Sequence, residues 1–176
     1  MAESAFVVLV PEAEALVGNL RLQYDESARI GVPAHVTVLY PFMEPALITA
    51  EVLRECAGAL AACTAFRFVL GTVGRFPATA YLEPNPSEPF VALTSTLARA
   101  FPSFPPFAGE FPSIIPHLTV AHGNAREAEA VASSVAASLR SSGPVSSVCA
   151  SVVLMENSSG RWRPVHEFPL ASAPGT

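Results

Sequence analysis

The order of elements in this chain runs twice, and that repetition limits the folds open to it. AFVVLV (5–10) reads as a buried strand. Pro11 then opens a helix with Glu12 and Glu14 in its first turn, an acidic start that the helix dipole favours, and Leu16, Val17 and Leu20 supply its inner face. A proline-led loop delivers a second strand, HVTVLY (35–40). Thr49 caps a helix whose apolar side is Leu53, Cys56, Leu60 and Cys63, and FRFVLGTV (66–73) follows as a third strand. The order then restarts. TAYLEP (79–84) is a strand, and Ser87 opens a helix bearing Phe90, Leu93, Leu97 and Phe101, stopped by Pro102. A loop rich in proline and aromatics, FPSFPPFAGEFPSIIP, leads to the strand HLTVAH (117–122). Asn124 with Glu127 resembles a capping box, before a helix that buries Val131, Val135 and Leu139. SSVCASVVLM (146–155) reads as one strand and RWRPVHEFPL (161–170) as the last.

A period of about 80 residues is too long for a solenoid. The pattern predicts an α+β fold of two lobes related by a pseudo-two-fold axis, each an antiparallel sheet backed by helices, with a cleft between them. The lobes are expected near 5–75 and 78–168, and no linker divides them, so residues 1–176 form one domain.

The two halves share one polar signature. His35 and Thr37 stand one residue apart in HVTV, and His117 and Thr119 do so in HLTV, 82 residues later, in a chain with four histidines. Strand side chains alternate between faces, so each histidine shares a face with its threonine while the aliphatic residues bury the other. Facing lobes then bring two imidazoles and two hydroxyls into one cleft. That set suits phosphoester chemistry. An imidazole with an ordinary pKa near 6.5 serves as base or acid around neutral pH, and threonine hydroxyls donate to non-bridging phosphate oxygens. No step requires a cofactor or a metal. The plainer readings are a hydrogen-bonded strand histidine and a threonine present for its strand propensity; duplication of the pair favours the functional one.

Composition narrows the field. Half the residues are hydrophobic and 14% are charged, as in a folded globular protein. No apolar run approaches the roughly 18 to 20 residues of a membrane helix, and the opening MAESAFVVLV lacks a basic leader, so a cytoplasmic protein is expected. A net charge of −5 argues against tracking along nucleic acid, while a local pocket for a small or terminal phosphate is compatible with it. All ten basic residues are arginine, which excludes a lysine nucleophile, a Schiff base and the lysine of a P-loop. Cys56, Cys63 and Cys149 have no CxxC spacing and read as reduced core thiols.

The paired HVTV and HLTV motifs, the setting HVTVLYPF, the segment from GRFP to AYLEP (74–84) and PHLTVAHG resemble the two-histidine phosphoesterases, the 2′-5′ RNA ligase / cyclic phosphodiesterase superfamily, over roughly residues 5 to 168. The resemblance implies the bilobal fold and hydrolysis of a 2′,3′-cyclic phosphate, on an RNA end or a small nucleotide, or of a related 2′-5′ linkage. His35, Thr37, His117 and Thr119 would carry it. One histidine would activate water and the other protonate the departing ribose oxygen; analogy favours His117 as base and His35 as acid, and the residues alone admit either order. A 2′-phosphate product is likewise an implication of the resemblance. Ligation would be the reverse of ring opening.

Further substrate contacts are drawn from Tyr40, Tyr81, Arg75, Arg161, Arg163 and His166, the aromatics as stacking platforms and the arginines for a terminal phosphate. For each, core packing or a solvated surface is the plainer role. His122 falls on the strand face opposite His117. Two rival functions remain: a non-catalytic nucleotide or RNA-end binder on the same cleft, and a metal-dependent hydrolase, which the absence of HExxH or a clustered ligand motif disfavours. The sequence is silent on oligomeric state.

Overall fold

The computed structural model describes residues 1–174, built from eight strands and five helices. The strands are β1 (Ser4–Leu9), β2 (His35–Leu39), β3 (Phe66–Phe76), β4 (Thr79–Asn85), β5 (Leu118–His122), β6 (Val145–Cys149), β7 (Ser151–Glu156) and β8 (Arg163–Pro169). The helices are α1 (Glu14–Tyr24), α2 (Glu26–Arg29), α3 (Ala50–Leu60), α4 (Glu88–Ala100) and α5 (Ala125–Ser142). They form the expected α+β architecture, with two antiparallel four-stranded sheets in the orders β2-β1-β7-β8 and β5-β4-β3-β6.

The sheets do not follow the halves of the chain, and here the sequence reading needs correction. The run 146–155 is two strands, β6 and β7, which part at Ala150 and belong to different sheets. β3, assigned above to the first lobe, pairs with β4 and β6 in the second sheet. Its partner is dictated by proximity. Only Pro77 and Ala78 separate β3 from β4, with Ala78 at φ 59°, and a connection that short closes a hairpin. The first sheet therefore draws on both ends of the chain and the second on its middle, so the spans 5–75 and 78–168 do not correspond to the sheets.

The helices cross over as well. α1 and α5 pack together and cover the second sheet, whereas α4 lies on β2 and packs with α3, which reaches β8. Crossing ties the lobes into one continuous core running from Phe6 and Val8 to Leu118 and Val135. Phe90 of α4 meets Phe66 and Phe68 of β3 edge-on, with centroids 5.0 Å apart in both pairs. Burying each such ring is worth about 1.5 to 3 kcal/mol. Thr94, buried on the same helix, donates to the Val38 carbonyl of β2 at 2.7 Å, which fixes α4 against the first motif strand.

Local signals fare better. Thr49 Oγ1 accepts from the Val52 N–H at 3.3 Å, and Asn124 Oδ1 accepts from Arg126 and Glu127, both at 3.0 Å. Ser87 occupies the α4 cap position without a side-chain hydrogen bond. Pro11 opens a separate 3₁₀ turn, Pro11–Ala13, ahead of α1. The three cysteines are free thiols, and burial pushes those of Cys56 and Cys149 up to about 12, so they stay protonated.

Candidate active site

The two motif strands are edge strands of their respective sheets and pack against each other where the lobes meet. Alternation orients them. Val36, Val38, Leu118 and Val120 are buried in the core, while His35, Thr37, His117 and Thr119 are half-buried on the other faces. His117 stands immediately before β5, and Thr119 lies within it.

Both imidazoles are held alike. His35 Nδ1 lies 2.8 Å from the Pro33 carbonyl oxygen, and His117 Nδ1 lies 2.6 Å from that of Ile115, each two residues upstream. A carbonyl only accepts, so each Nδ1 carries the proton and the neutral ring keeps its lone pair on Nε2. Among the described residues neither Nε2 has a hydrogen-bond partner. Two pre-oriented bases are the result.

Their environments differ. Burial lowers the His35 pKa to about 4, helped by the nearby Arg21 guanidinium and by the charge of His117; the Pro33 carbonyl and Asp25 act in the opposite direction. The influence of His117 on His35 marks the two rings as electrostatic neighbours. Burial also lowers the His117 pKa, with His122 adding to it and the Ile115 carbonyl opposing.

An aromatic bracket positions His117. Its ring meets Phe76 edge-on at 5.2 Å and Tyr81 at 5.3 Å, and those two rings stack on each other at 4.3 Å. Tyr81 fits only because its cross-strand partner is Gly74: a Cβ there would stand 2.2 Å from Tyr81 Cε2. Gly74→Ala must therefore displace the Tyr81 ring from its place against Phe76 and His117. An overpacking cost of about 1 to 3 kcal/mol is expected in denaturant unfolding, along with a changed His117 imidazole resonance.

Among the further contacts named from the sequence, Tyr81 packs its ring against a motif histidine, and the others have partners elsewhere among the described residues. Arg75 lies on the opposite face of β3, paired with Glu129 of α5 at 2.8 Å. Arg161 donates to the Arg29 carbonyl at 3.1 Å, and Arg163 pairs with Glu156. The His166 ring packs on Phe168 at 4.5 Å. Tyr40 donates to Glu3 at 2.8 Å, sets its ring edge-on to Trp162 and accepts the Phe107 N–H on its carbonyl, anchoring the loop before β5. A cavity of about 460 Å³ opens along the first sheet, with Leu9, Val153, His166 and Glu167 in its lining. Leu9 is the cross-strand partner of His35, but none of the four motif residues lines the cavity.

The sequence reading missed Arg21. It is only 1% exposed and bonds to Asp25, Ser27 and two backbone carbonyls near the motif strands. The available signal was spacing. Val17, Arg21 and Asp25 recur every four residues, which places an arginine on the buried stripe of α1 with a carboxylate one turn on. No group of three or more His, Cys, Asp or Glu among the described residues is arranged to hold a metal ion, and no helix is long and apolar enough to cross a membrane.

Comparison with known proteins bears on the family and the fold. A family model described as the 2′-5′ RNA ligase superfamily matches residues 9–161. E. coli LigT complexed with NADP+ superposes with a TM-score of 0.60 at 19% identity, covering 96% of this chain and 97% of that one. TT0787 of Thermus thermophilus gives 0.61 at 15% identity, covering 98% and 100%. A structure described only as a phosphoesterase gives 0.58 at 18%, covering 97% and 99%. At such identities these likenesses establish the fold. A search of curated proteins returns no significant match.

Proposed function

The chain belongs to the 2′-5′ RNA ligase superfamily, and we propose that it is a metal-independent phosphodiesterase opening a 2′,3′-cyclic phosphate, on a small nucleotide or an RNA terminus, or cleaving a related 2′-5′ linkage. The observation that carries this reading is the matched pair of imidazoles, each with Nδ1 tied to a carbonyl two residues upstream and Nε2 free. One Nε2 takes the proton of an attacking water as its oxygen bonds to phosphorus. The other imidazole, protonated, gives its proton to the ribose oxygen as the P–O bond breaks. Thr37 and Thr119 donate to the two non-bridging oxygens, where charge accumulates. Ligation would reverse ring opening, since a chain without lysine has no site for adenylylation on that residue. E. coli LigT has been crystallised with NADP+, 3′-AMP and ATP, which supports a nucleotide as ligand.

The test is a panel of 2′,3′-cyclic mononucleotides, an oligonucleotide ending in a cyclic phosphate and a 2′-5′-linked dinucleotide, assayed in excess chelator. Turnover that persists under chelation, with a single phosphomonoester regioisomer seen by phosphorus NMR, is expected. Binding of these compounds without turnover would instead identify a non-catalytic binder. Turnover that chelator abolishes would identify a metal-dependent hydrolase.

The pH profile has a definite direction. Both imidazole pKa values lie below 6.5, so the neutral forms dominate at pH 7 and the protonated acid is scarce there. A bell-shaped kcat/KM centres between the two free-enzyme pKa values, which places its maximum on the acid side of pH 6.5. A maximum above pH 7 would contradict the assignment.

A further inference from the structure

β2 and β5 meet as edge strands of two different sheets, and no pairing joins them. An edge strand leaves carbonyls unpaired along its open side. At this seam a guanidinium meets one such carbonyl and one from the turn that leads into β2. Arg21 Nε donates to the Thr119 carbonyl of β5 at 3.1 Å, and Nη1 donates to that of Val32, three residues before His35, also at 3.1 Å. The other side of the fork is anchored. Asp25 Oδ2 accepts from Nη2 at 2.8 Å and from Nε at 3.2 Å, and Ser27 Oγ lies 3.0 Å from Nη2. Asp25 is itself held, since its Oδ1 accepts the Ser27 N–H at 3.0 Å in capping α2.

We propose that Arg21, locked by Asp25, is a positioning residue that sets the spacing of the His35–Thr37 and His117–Thr119 pairs across the seam between the sheets. This rests on the phosphodiesterase reading for its consequence and on geometry for its substance. One guanidinium reaches both β5 and the segment that leads into β2, because its donors diverge in a fixed plane, whereas a lysine ammonium is a point donor on a flexible stem. A misplacement of about 1 Å between reacting groups costs up to roughly 10²-fold in rate, so a rigid planar spacer at this point matters to turnover. Arg21 also acts electrostatically on His35. The other charged or titratable groups that act on that imidazole are Asp25, before α2, and His117, from the opposite lobe, while Glu14 of α1 accepts the N–H of the preceding residue, Ala34.

The test uses Arg21→Lys and Asp25→Asn in the full chain, well below their melting temperatures, with Arg21→Gln wherever it folds. Three quantities are read: kcat and KM separately, binding of 3′-AMP, and the titration of both imidazoles by NMR. Arg21→Lys keeps the charge and loses the fork, so kcat should fall about 10-fold or more at a folded fraction equal to wild type. Asp25→Asn should reproduce that fall. In Arg21→Gln the cation leaves while Asp25 stays, so His35 should titrate at a higher pH than in wild type. A folded Arg21→Lys with wild-type kcat would overturn the proposal, as would an Arg21→Gln in which His35 titrates unchanged. Failure of the phosphodiesterase reading would look different: wild type itself would turn over nothing, and the imidazole titrations would still decide the role of Arg21.

Discussion

His35→Ala and His117→Ala are each expected to lower turnover of a 2′,3′-cyclic phosphate by about 10² to 10⁴, the usual contribution of one positioned acid or base. The double variant should fall little further. On the proposed mechanism the two imidazoles act on opposite sides of a single phosphorus, and once either is gone the concerted proton transfers no longer occur, so the second loss has little left to remove. KM should change less than kcat, because the threonine hydroxyls proposed to hold the phosphate remain. Thr37→Val and Thr119→Val should show the converse, weakening 3′-AMP binding together with kcat. Steady-state kinetics with equilibrium binding separates these patterns. Alanine at His35 with intact affinity and no turnover to lose would favour the non-catalytic binder.

The parts of this site that were legible in the sequence are those that follow local rules. Strand alternation put His35 beside Thr37 and His117 beside Thr119, and the buried aliphatic faces of both strands agree. Caps at Thr49 and Asn124 were readable because an oxygen one residue outside a helix meets the first free N–H groups. Partner choice between strands is a non-local matter and was not legible. Cys149, Ala150 and Ser151 include no glycine or proline, so nothing in the residues announces the step from one sheet to the other. Arg75, Arg161 and Arg163 were considered for phosphate and have other partners, because carboxylates and a carbonyl brought close by the fold capture an exposed guanidinium. Arg21 was overlooked for the opposite reason. An arginine is read as surface by default, and its burial becomes sensible only when an unpaired carbonyl from a strand 98 residues away is seen to need it.

Arg21→Ala is expected to cost about 3 to 5 kcal/mol of stability, because it leaves Asp25 buried with its charge uncompensated and strips two carbonyls of their donor. Several features place the effect at the upper end of single substitutions. Both partners are almost wholly buried, at 1% and 5% exposure, so water does not replace the lost contacts without opening the core. The deletion also leaves a void beneath α1, which adds a cavity term to the electrostatic one. Pairing the change with Asp25→Ala separates these contributions. If the uncompensated carboxylate dominates, the double variant should be more stable than Arg21→Ala alone; if the void and the orphaned Val32 and Thr119 carbonyls dominate, the costs should add. Denaturant unfolding of the four proteins reads the comparison, and a cost below about 1 kcal/mol would mean that α1 reseats and waters satisfy the seam without the guanidinium.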